Sequence, residues 1–177
     1  MKPSILVAGV GNIFLGDDGF GVEVASALSL RTLPEHVLVK DFGIRGFDLA
    51  YTLLDPWEVV ILVDALPRGE SPGTLYLLEL SFSGEGSSPA TEMNPHGMDP
   101  VRVLHLAASL GQIVAKLVVV GCEPLDFGDE FEGRMGLSLP VQAAVEEACH
   151  MVSRLVERMP GGRNLEIDQT QLHVMER

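Results

Sequence analysis

The chain has 177 residues, 46% of them hydrophobic, and its 12 basic against 25 acidic residues give a formal net charge of −13 at pH 7. This length and apolar content predict one folded domain with a sizeable core, and they exclude a largely disordered chain. The acidic excess, without a basic stripe, argues against nucleic-acid binding because a phosphate backbone would be repelled. We interpret the acidic residues as solvated surface charge.

The cysteine content and the apolar runs bear on the compartment. The two cysteines, Cys122 and Cys149, are too few for a disulfide framework. The apolar run near the N-terminus is too short for a secretory signal, and no run approaches the roughly 18 apolar residues of a membrane span. We therefore expect a cytoplasmic protein with no membrane partner.

Along the chain, strand and helix patterns alternate. Near-continuous apolar runs predict buried strands, and a further run after a short turn predicts an antiparallel edge strand. The predicted strands are 5–10, 37–42, 59–64, 74–80 (the antiparallel edge strand) and 117–122. The predicted helices are 20–31, 47–54, 100–110 and 138–159, the last with Ser138 as its N-cap. The order predicts a three-layer α/β/α sandwich on a mostly parallel, twisted, five-stranded sheet, with the first strand between the second and the third.

The domain organisation is simple. We expect a single α/β domain over residues 1–160 and a polar, poorly ordered C-terminal tail over residues 161–177. Residues 81–97 are rich in Ser, Gly and Pro and form too long a stretch for a simple connector. We expect this stretch to be functional or mobile.

Potential ligands follow several predicted strands, and in an open α/β sheet the carboxyl ends of the strands form the binding edge. His96, in the long stretch 81–97, is expected on the same side. Each residue alone has an ordinary structural role, such as a turn aspartate or a buried thiol, so only their convergence carries weight. The residues after the strands are Asp17, Asp18, Asp41, Asp64, Cys122 and Glu123.

The glycine-rich loop 9–19 superficially resembles a phosphate-binding loop. A dinucleotide fingerprint needs a third glycine where Phe14 stands, a Walker loop needs a lysine that is absent, and the loop's acids would repel a pyrophosphate. Two carboxylates and an imidazole would instead form an incomplete oxygen and nitrogen ligand set for a divalent ion. Such a set suits nickel or zinc, and the general order of divalent-metal affinities does not distinguish between the two ions.

Taken together, these motifs resemble the maturation endopeptidases of [NiFe] hydrogenases. The order and combination of the motifs are more specific than any one of them. They are Gly9-x-Gly11-Asn12-x-x-x-Gly16-Asp17-Asp18-Gly19-x-Gly21, Asp41-x-Gly43-x-x-Gly46, Val63-Asp64-Ala65, His96, Gly121-Cys122-Glu123-Pro124 and Gly136-Leu137-Ser138-x-Pro140-Val141. Departures from the family pattern are Pro95 and Gly97 beside His96, and Ile44 where a threonine is common.

The resemblance implies a single peptidase domain that removes the C-terminal extension of a nickel-loaded hydrogenase large-subunit precursor. It implies that Asp18, Asp64 and His96 contact the nickel, which the precursor would supply, although another divalent metal can occupy the site in the isolated protein. Asp18 and Asp64 are then the expected catalytic residues, and Asp17 is the expected helix cap beside them. We expect a monomer, since no coiled coil or exposed apolar repeat is visible.

The short glycine motif after the second strand is the expected substrate contact. It contributes Gly43, Arg45 and Gly46, and an arginine guanidinium recognises a carboxylate in a bidentate manner. Two mechanisms remain open, metal-assisted hydrolysis, which we favour, and a carboxylate pair that shares a proton. Two other functions also remain open, a nickel-binding chaperone without catalytic activity and, less favoured, a Rossmann-type nucleotide-binding enzyme.

Overall fold

The computed structural model describes residues 3–80, 100–128 and 131–159. The stretch 81–97 with His96, and the tail 161–177, lie outside the described residues. All the predicted strands and helices are present, with ends shifted by a few residues at most. They are β1 (Ile5–Val10), α1 (Phe20–Ser29), β2 (Val37–Gly43), α2 (Gly46–Thr52), β3 (Val59–Ala65), β4 (Leu75–Leu80), α3 (Pro100–Leu110), β5 (Lys116–Cys122) and α4 (Leu139–Glu157), with a 3-10 turn at Gly16–Gly19.

The sheet has the strand order β2-β1-β3-β5-β4. Strand β1 pairs in parallel with both β2 and β3, and β3 pairs in parallel with β5. Strand β4 pairs antiparallel with β5 at the edge of the sheet. The predicted placement of β1 between β2 and β3 and the predicted antiparallel edge strand are both confirmed.

Helices cover both faces of the sheet and give it two hydrophobic cores. Alternate residues of β1 point to opposite faces, so Ile5 and Val7 lie in one core while Leu6 and Ala8 lie in the other. The first core contains α1 and α4, and the second contains α2 and α3. The result is the predicted three-layer sandwich.

The connections that follow β1 and β3 lead to opposite faces of the sheet. This divergence locates the expected ligand-binding crevice. The chain leaves β1 through α1 on one face of the sheet, whereas the chain after β3 and β4 reaches α3 on the other face. In open α/β sheets the crevice between such strands, outside their carboxyl ends, is where ligands bind. We refer to this edge of the sheet as the carboxyl edge.

Two glycines bring the start of α1 onto the backbone of the sheet. A Cβ atom on Gly21 would lie 2.0 Å from the carbonyl oxygen of Val63 and 2.4 Å from that of Val10. A Cβ atom on Gly9 would lie 2.3 Å from the carbonyl oxygen of Gly21. The first turn of α1 therefore sits directly over the ends of β1 and β3, at a distance that only glycine allows.

No helix in residues 3–80, 100–128 and 131–159 is long and apolar enough to cross a membrane.

The Gly21 contact generates a stability prediction. Gly21→Ala should lower the free energy of unfolding by about 3 kcal/mol, the upper part of the range for overpacking, because its Cβ meets backbone that cannot move aside. Gly111→Ala is the matched control, since its Cβ would meet the flexible end of Leu54 at 3.1 Å. Urea denaturation followed by circular dichroism measures both changes. An equal decrease in the free energy of unfolding of the two variants would contradict the close contact of Gly21 with the strand backbone.

Candidate active site

The opening loop folds back on itself so that its glycine and asparagine hold Asp18. Gly11 has a φ of +127°, and a Cβ atom there would lie 1.7 Å from the carbonyl oxygen of Asp18. The backbone N–H of Asn12 donates a hydrogen bond of 2.7 Å to the Asp18 carboxylate. The Asn12 side-chain oxygen accepts a hydrogen bond of 3.0 Å from the N–H of Phe14, which fixes the loop locally. Gly11 and Asn12 of the motif thus hold Asp18 in place.

Asp18 is a buried carboxylate with little compensation. Only 7% of the residue is exposed. Burial raises the pKa of Asp18 above its ordinary value, and the hydrogen bond from Asn12 offsets this in part. A buried carboxylate with a raised pKa in a ligand-binding crevice is typical of a functional group rather than a structural one.

Asp64 occupies the end of β3, the strand beside β1. It is also 7% exposed, and its carboxylate accepts a hydrogen bond of 2.8 Å from the N–H of Ala65. The turn Gly16–Gly19, which carries Asp18, contacts β3. The structure therefore brings both candidate catalytic carboxylates to the same part of the carboxyl edge.

The glycine motif after β2 lies beside the opening loop. Gly43 has a φ of +52°, and its carbonyl oxygen accepts a hydrogen bond of 3.0 Å from the N–H of Gly11. Gly46 is the first residue of α2. The Arg45 guanidinium donates to the carbonyl oxygen of Asp41 and lies 3.7 Å from the Asp48 carboxylate. Contact of these residues with a substrate stays a prediction.

Comparison with known proteins identifies the family. Residues 22–155 match the family model of the hydrogenase maturation proteases. The chain belongs to this family. It is therefore a peptidase, a class of hydrolase, and the nucleotide-binding alternative is not supported.

Individual relatives are similar to this chain over most of the length of both proteins. The hydrogenase 2 maturation protease of Escherichia coli K12 is 31% identical over 152 residues, which are 84% of this chain and 87% of that protein. The structure of the hydrogenase maturating endopeptidase HybD from E. coli matches with a TM-score of 0.72 and 28% identity, covering 90% of this chain and 94% of that one. A [NiFe] hydrogenase maturation protease from Thermococcus kodakarensis matches with a TM-score of 0.61 and 25% identity, covering 88% and 94%. The predicted fold class and family are confirmed.

Two further polar residues of this maturation protease at the carboxyl edge have structural roles. Cys122 is fully buried, and burial, followed by the charges of Asp17 and Glu123, raises its pKa to about 12. Its thiol is thus uncharged at neutral pH and unsuited to act as a nucleophile. Burial opposes ionisation of Glu123, but hydrogen bonds from Tyr76 and nearby backbone amides outweigh it and lower the Glu123 pKa. Glu123 therefore holds the turn between β3 and β4.

The prediction that Asp17 caps α1 is wrong. Helix α1 begins after Gly19 without a side-chain cap hydrogen bond. The Asp17 carboxylate is buried and binds the segment between β5 and α4 instead. Ser138 does occupy the N-cap position of α4, but its hydroxyl donates to Asp17 rather than accepting from α4. No local sequence signal distinguishes Asp17 from Asp18, because the partners of Asp17 lie more than 100 residues away.

The predicted metal ligand set is only partly described. Asp18 and Asp64 are placed, whereas His96 lies outside the described residues. Within residues 3–80, 100–128 and 131–159, no group of three or more His, Cys, Asp or Glu residues could hold a metal ion. The predicted three-residue site therefore stays a prediction.

The raised pKa of Asp18 generates a pH-dependence prediction. The folded protein binds a proton at Asp18 more readily than the unfolded chain, whose pKa is near 3.8. Wild-type stability is therefore lost as the pH rises from 3.8 through the folded-state pKa. Asp18→Asn removes the charge and keeps an oxygen for Asn12, so it should be more stable than wild type at pH 7.

This stability advantage should shrink as the pH falls toward 3.8. Urea denaturation at a series of pH values measures it. Asp55→Asn, at an exposed carboxylate, serves as the control and should stay within about 0.5 kcal/mol of wild type throughout. If Asp18→Asn is less stable than wild type at pH 7, the charge of Asp18 does not destabilise the folded protein.

Proposed function

We propose that this protease removes the C-terminal extension of a nickel-loaded [NiFe]-hydrogenase large-subunit precursor. The observation that carries the proposal is a pair of buried carboxylates in a chain of the hydrogenase maturation protease family. Asp64 lies at the end of β3, and Asp18 lies in the turn after the adjacent strand β1, which contacts β3. The names of the relatives, a maturation endopeptidase and a [NiFe] hydrogenase maturation protease, support this choice of substrate class.

In this proposal the nickel belongs to the substrate. Asp18, Asp64 and His96 contact the nickel that the precursor carries, and the precursor's own ligands fill the remaining positions. Two carboxylates and one imidazole leave coordination positions open, as such recognition requires. A precursor without nickel would lack the ion that these residues bind. Cleavage would therefore follow nickel insertion.

The chemistry requires a water molecule to attack the peptide carbonyl and a proton to reach the leaving amine. We favour a route in which the substrate's metal polarises the reacting groups while Asp18 or Asp64 orients the water and accepts its proton. A proton-sharing carboxylate pair is the alternative. The Asp-Thr/Ser-Gly tripeptide typical of that class is absent, because Asp64 precedes Ala65-Leu66 and Asp18 precedes Gly19-Phe20.

Exposed apolar side chains lie in the opening loop, which carries Asp18, and in the segments after β2 and β5, and they fit a polypeptide substrate. They come from the loops after β1, β2 and β5 and from the first turns of α2 and α4. Hydrogen bonds join these loops, from Gly11 to Gly43 and from Arg134 to Phe14. Exposed apolar patches of this kind typically mark interaction surfaces. This surface, which we name the apolar rim, consists of Phe14, Ile44, Phe47, Leu125, Met135 and Leu139. Because it adjoins the candidate carboxylates, we assign it to the precursor.

We further propose that the protease acts in the cytoplasm and as a monomer. Both cysteines are free and buried, which fits a reducing compartment.

The cleavage assay tests the proposed reaction. Purified protease should shorten a nickel-loaded large-subunit precursor at its C-terminus and leave a nickel-free precursor intact, as read by mass spectrometry. Asp18→Ala and Asp64→Ala should each slow cleavage by at least about 100-fold, because each removes a carboxylate that contacts the substrate's nickel or orients the attacking water. Binding of the precursor without shortening would favour the chaperone alternative.

Kinetics of rim variants test the binding surface. Phe14→Ser combined with Met135→Ser should raise the KM for the precursor about tenfold or more and leave kcat nearly unchanged, since both remove apolar contact rather than chemistry. Leu30→Ser is the matched control, because Leu30 is 89% exposed at the far end of α1, away from the carboxyl edge. An equal KM for wild type and the double variant would remove the rim from the binding surface.

A further inference from the structure

Asp17 is the most completely satisfied carboxylate in the described part of the chain that adjoins the candidate site. It is fully buried. Its carboxylate accepts hydrogen bonds from the backbone N–H groups of Leu125 at 2.8 Å and Asp126 at 3.1 Å. It also accepts from the backbone N–H of Ser138 at 2.6 Å and from the Ser138 hydroxyl at 2.8 Å. Four donors thus meet a carboxylate that offers about four acceptor positions, three of them at Oδ2 and one at Oδ1, so the Asp17 side chain is committed mainly to partners within the protein.

The backbone around Asp17 strengthens the same connection. The N–H of Gly16 donates to the carbonyl oxygen of Arg134 at 2.8 Å, and the N–H of Asp17 donates to that of Asp126 at 3.1 Å. In return, the N–H of Arg134 donates to the carbonyl oxygen of Phe14 at 2.8 Å. The turn Gly16–Gly19 is thus fastened to the segment between β5 and α4 through both backbone and side chain.

The Asp17 carboxylate lies at the start of α4. Ser138 is the N-cap residue of α4, so the Asp17 carboxylate lies at the positive end of that helix dipole. Charge-assisted hydrogen bonds to backbone N–H groups are stronger than neutral ones. Asp17 therefore forms a stiff link between the opening loop and the start of α4.

Asp18 follows directly in the same 3-10 turn and has the opposite surroundings. Among the described residues, its side chain accepts one hydrogen bond, from Asn12 on the β1 side of the loop. Since the turn itself is fastened on its other side through Asp17, any movement of Asp17 shifts the backbone that carries Asp18. The placement of the Asp18 carboxylate over the ends of β1 and β3 thus depends on two opposed anchors, Asn12 and Asp17.

We propose that Asp17 is a positioning residue for Asp18, which sets the place of the Asp18 carboxylate at the carboxyl edge through its hydrogen bonds to Leu125, Asp126 and Ser138. The catalytic consequence of this role rests on the proposed function. The geometric consequence does not, because it concerns only where the Asp18 carboxylate lies.

Glu123 offers a matched control for a purely stabilising role. It is also a buried carboxylate that accepts two backbone N–H bonds, from Arg68 at 2.8 Å and Gly69 at 3.1 Å, and one hydroxyl bond from Tyr76. Its partners lie in the turn between β3 and β4 and in β4, not in the Gly16–Gly19 turn. Asp17→Asn and Glu123→Gln thus make the same chemical change in two similar carboxylate sites.

Cleavage kinetics with the nickel-loaded precursor provide the first test. Both variants should unfold at lower temperature, since an amide nitrogen then faces backbone donors. Measured well below both unfolding midpoints, Asp17→Asn should lower kcat about 100-fold, with KM within about threefold of wild type, because a misplacement of about 1 Å has this effect on catalysis. Glu123→Gln should keep its kcat within about threefold. Similar kcat losses in the two variants would reduce Asp17 to a stabilising residue.

Hydrogen exchange of the Asn12 amide provides a second test that needs no substrate. This amide donates to the Asp18 carboxylate, so its exchange rate and chemical shift report where that carboxylate lies. Asp17→Asn should speed Asn12 exchange about tenfold or more, as expected for a lost hydrogen bond. Glu123→Gln should leave Asn12 unchanged and speed exchange at Arg68 and Gly69 instead.

The two tests separate the two proposals. If wild type fails to cut the precursor, the proposed function fails, and the Asn12 amide alone decides the role of Asp17. If Asn12 exchange in folded Asp17→Asn matches wild type, the positioning role is overturned. Should Asp17→Asn not fold, Ser138→Ala removes only the hydroxyl hydrogen bond and should shift both readouts in the same direction by a smaller factor. Unchanged readouts in Ser138→Ala would then overturn the proposal.

Discussion

The contact of Gly21 with the backbone of β1 and β3 is the constraint on which the rest of the site depends. Because the carbonyl oxygens of Val10 and Val63 occupy the space of a side chain, α1 starts directly above the gap between the two strands. The loop before α1 must then turn sharply, which Gly11 allows through its positive φ. This turn delivers Asp18 to the edge where Asp64 ends β3. The glycines of the motif therefore shape the backbone around carboxylates rather than around a phosphate.

The adjacent residues Asp17 and Asp18 lie in one turn but differ in their hydrogen bonding. Asp17 and Asp18 are both buried, yet within the described residues Asp17 accepts hydrogen bonds from three residues and Asp18 from Asn12 alone. Burial without full compensation raises the pKa of Asp18 and burdens the fold. The fully hydrogen-bonded Asp17 offsets this cost, because it keeps the turn ordered around the weakly compensated Asp18 carboxylate. Under the proposed function, Asp17 stabilises the turn and Asp18 takes part in the reaction.

Much of the fold could be predicted from the sequence because its signals are local. Buried parallel strands show as continuous apolar runs, and the position of Asp64 at a strand end follows from such a run. The roles of Asp17 and Ser138 could not be predicted, since each depends on a partner more than 100 residues away that only the fold brings close. A local rule assigns both residues to helix caps. The capping rule places Ser138 correctly at the N-cap of α4 and Asp17 wrongly at the start of α1, and for both side chains a long-range hydrogen bond replaces the local one.

Under the proposed function, the incomplete ligand set and the apolar rim together explain how the protease would avoid cutting other proteins. Apolar contact through side chains such as Phe14 and Met135 selects only weakly among polypeptides, since apolar surface is non-directional. Under the proposed function, selectivity comes from the metal, which an ordinary polypeptide lacks. A buried, weakly compensated Asp18 suits this arrangement, because a divalent cation nearby favours the charged carboxylate that burial disfavours. The substrate would then supply the charge that completes the site, so reactivity and recognition depend on the same ion.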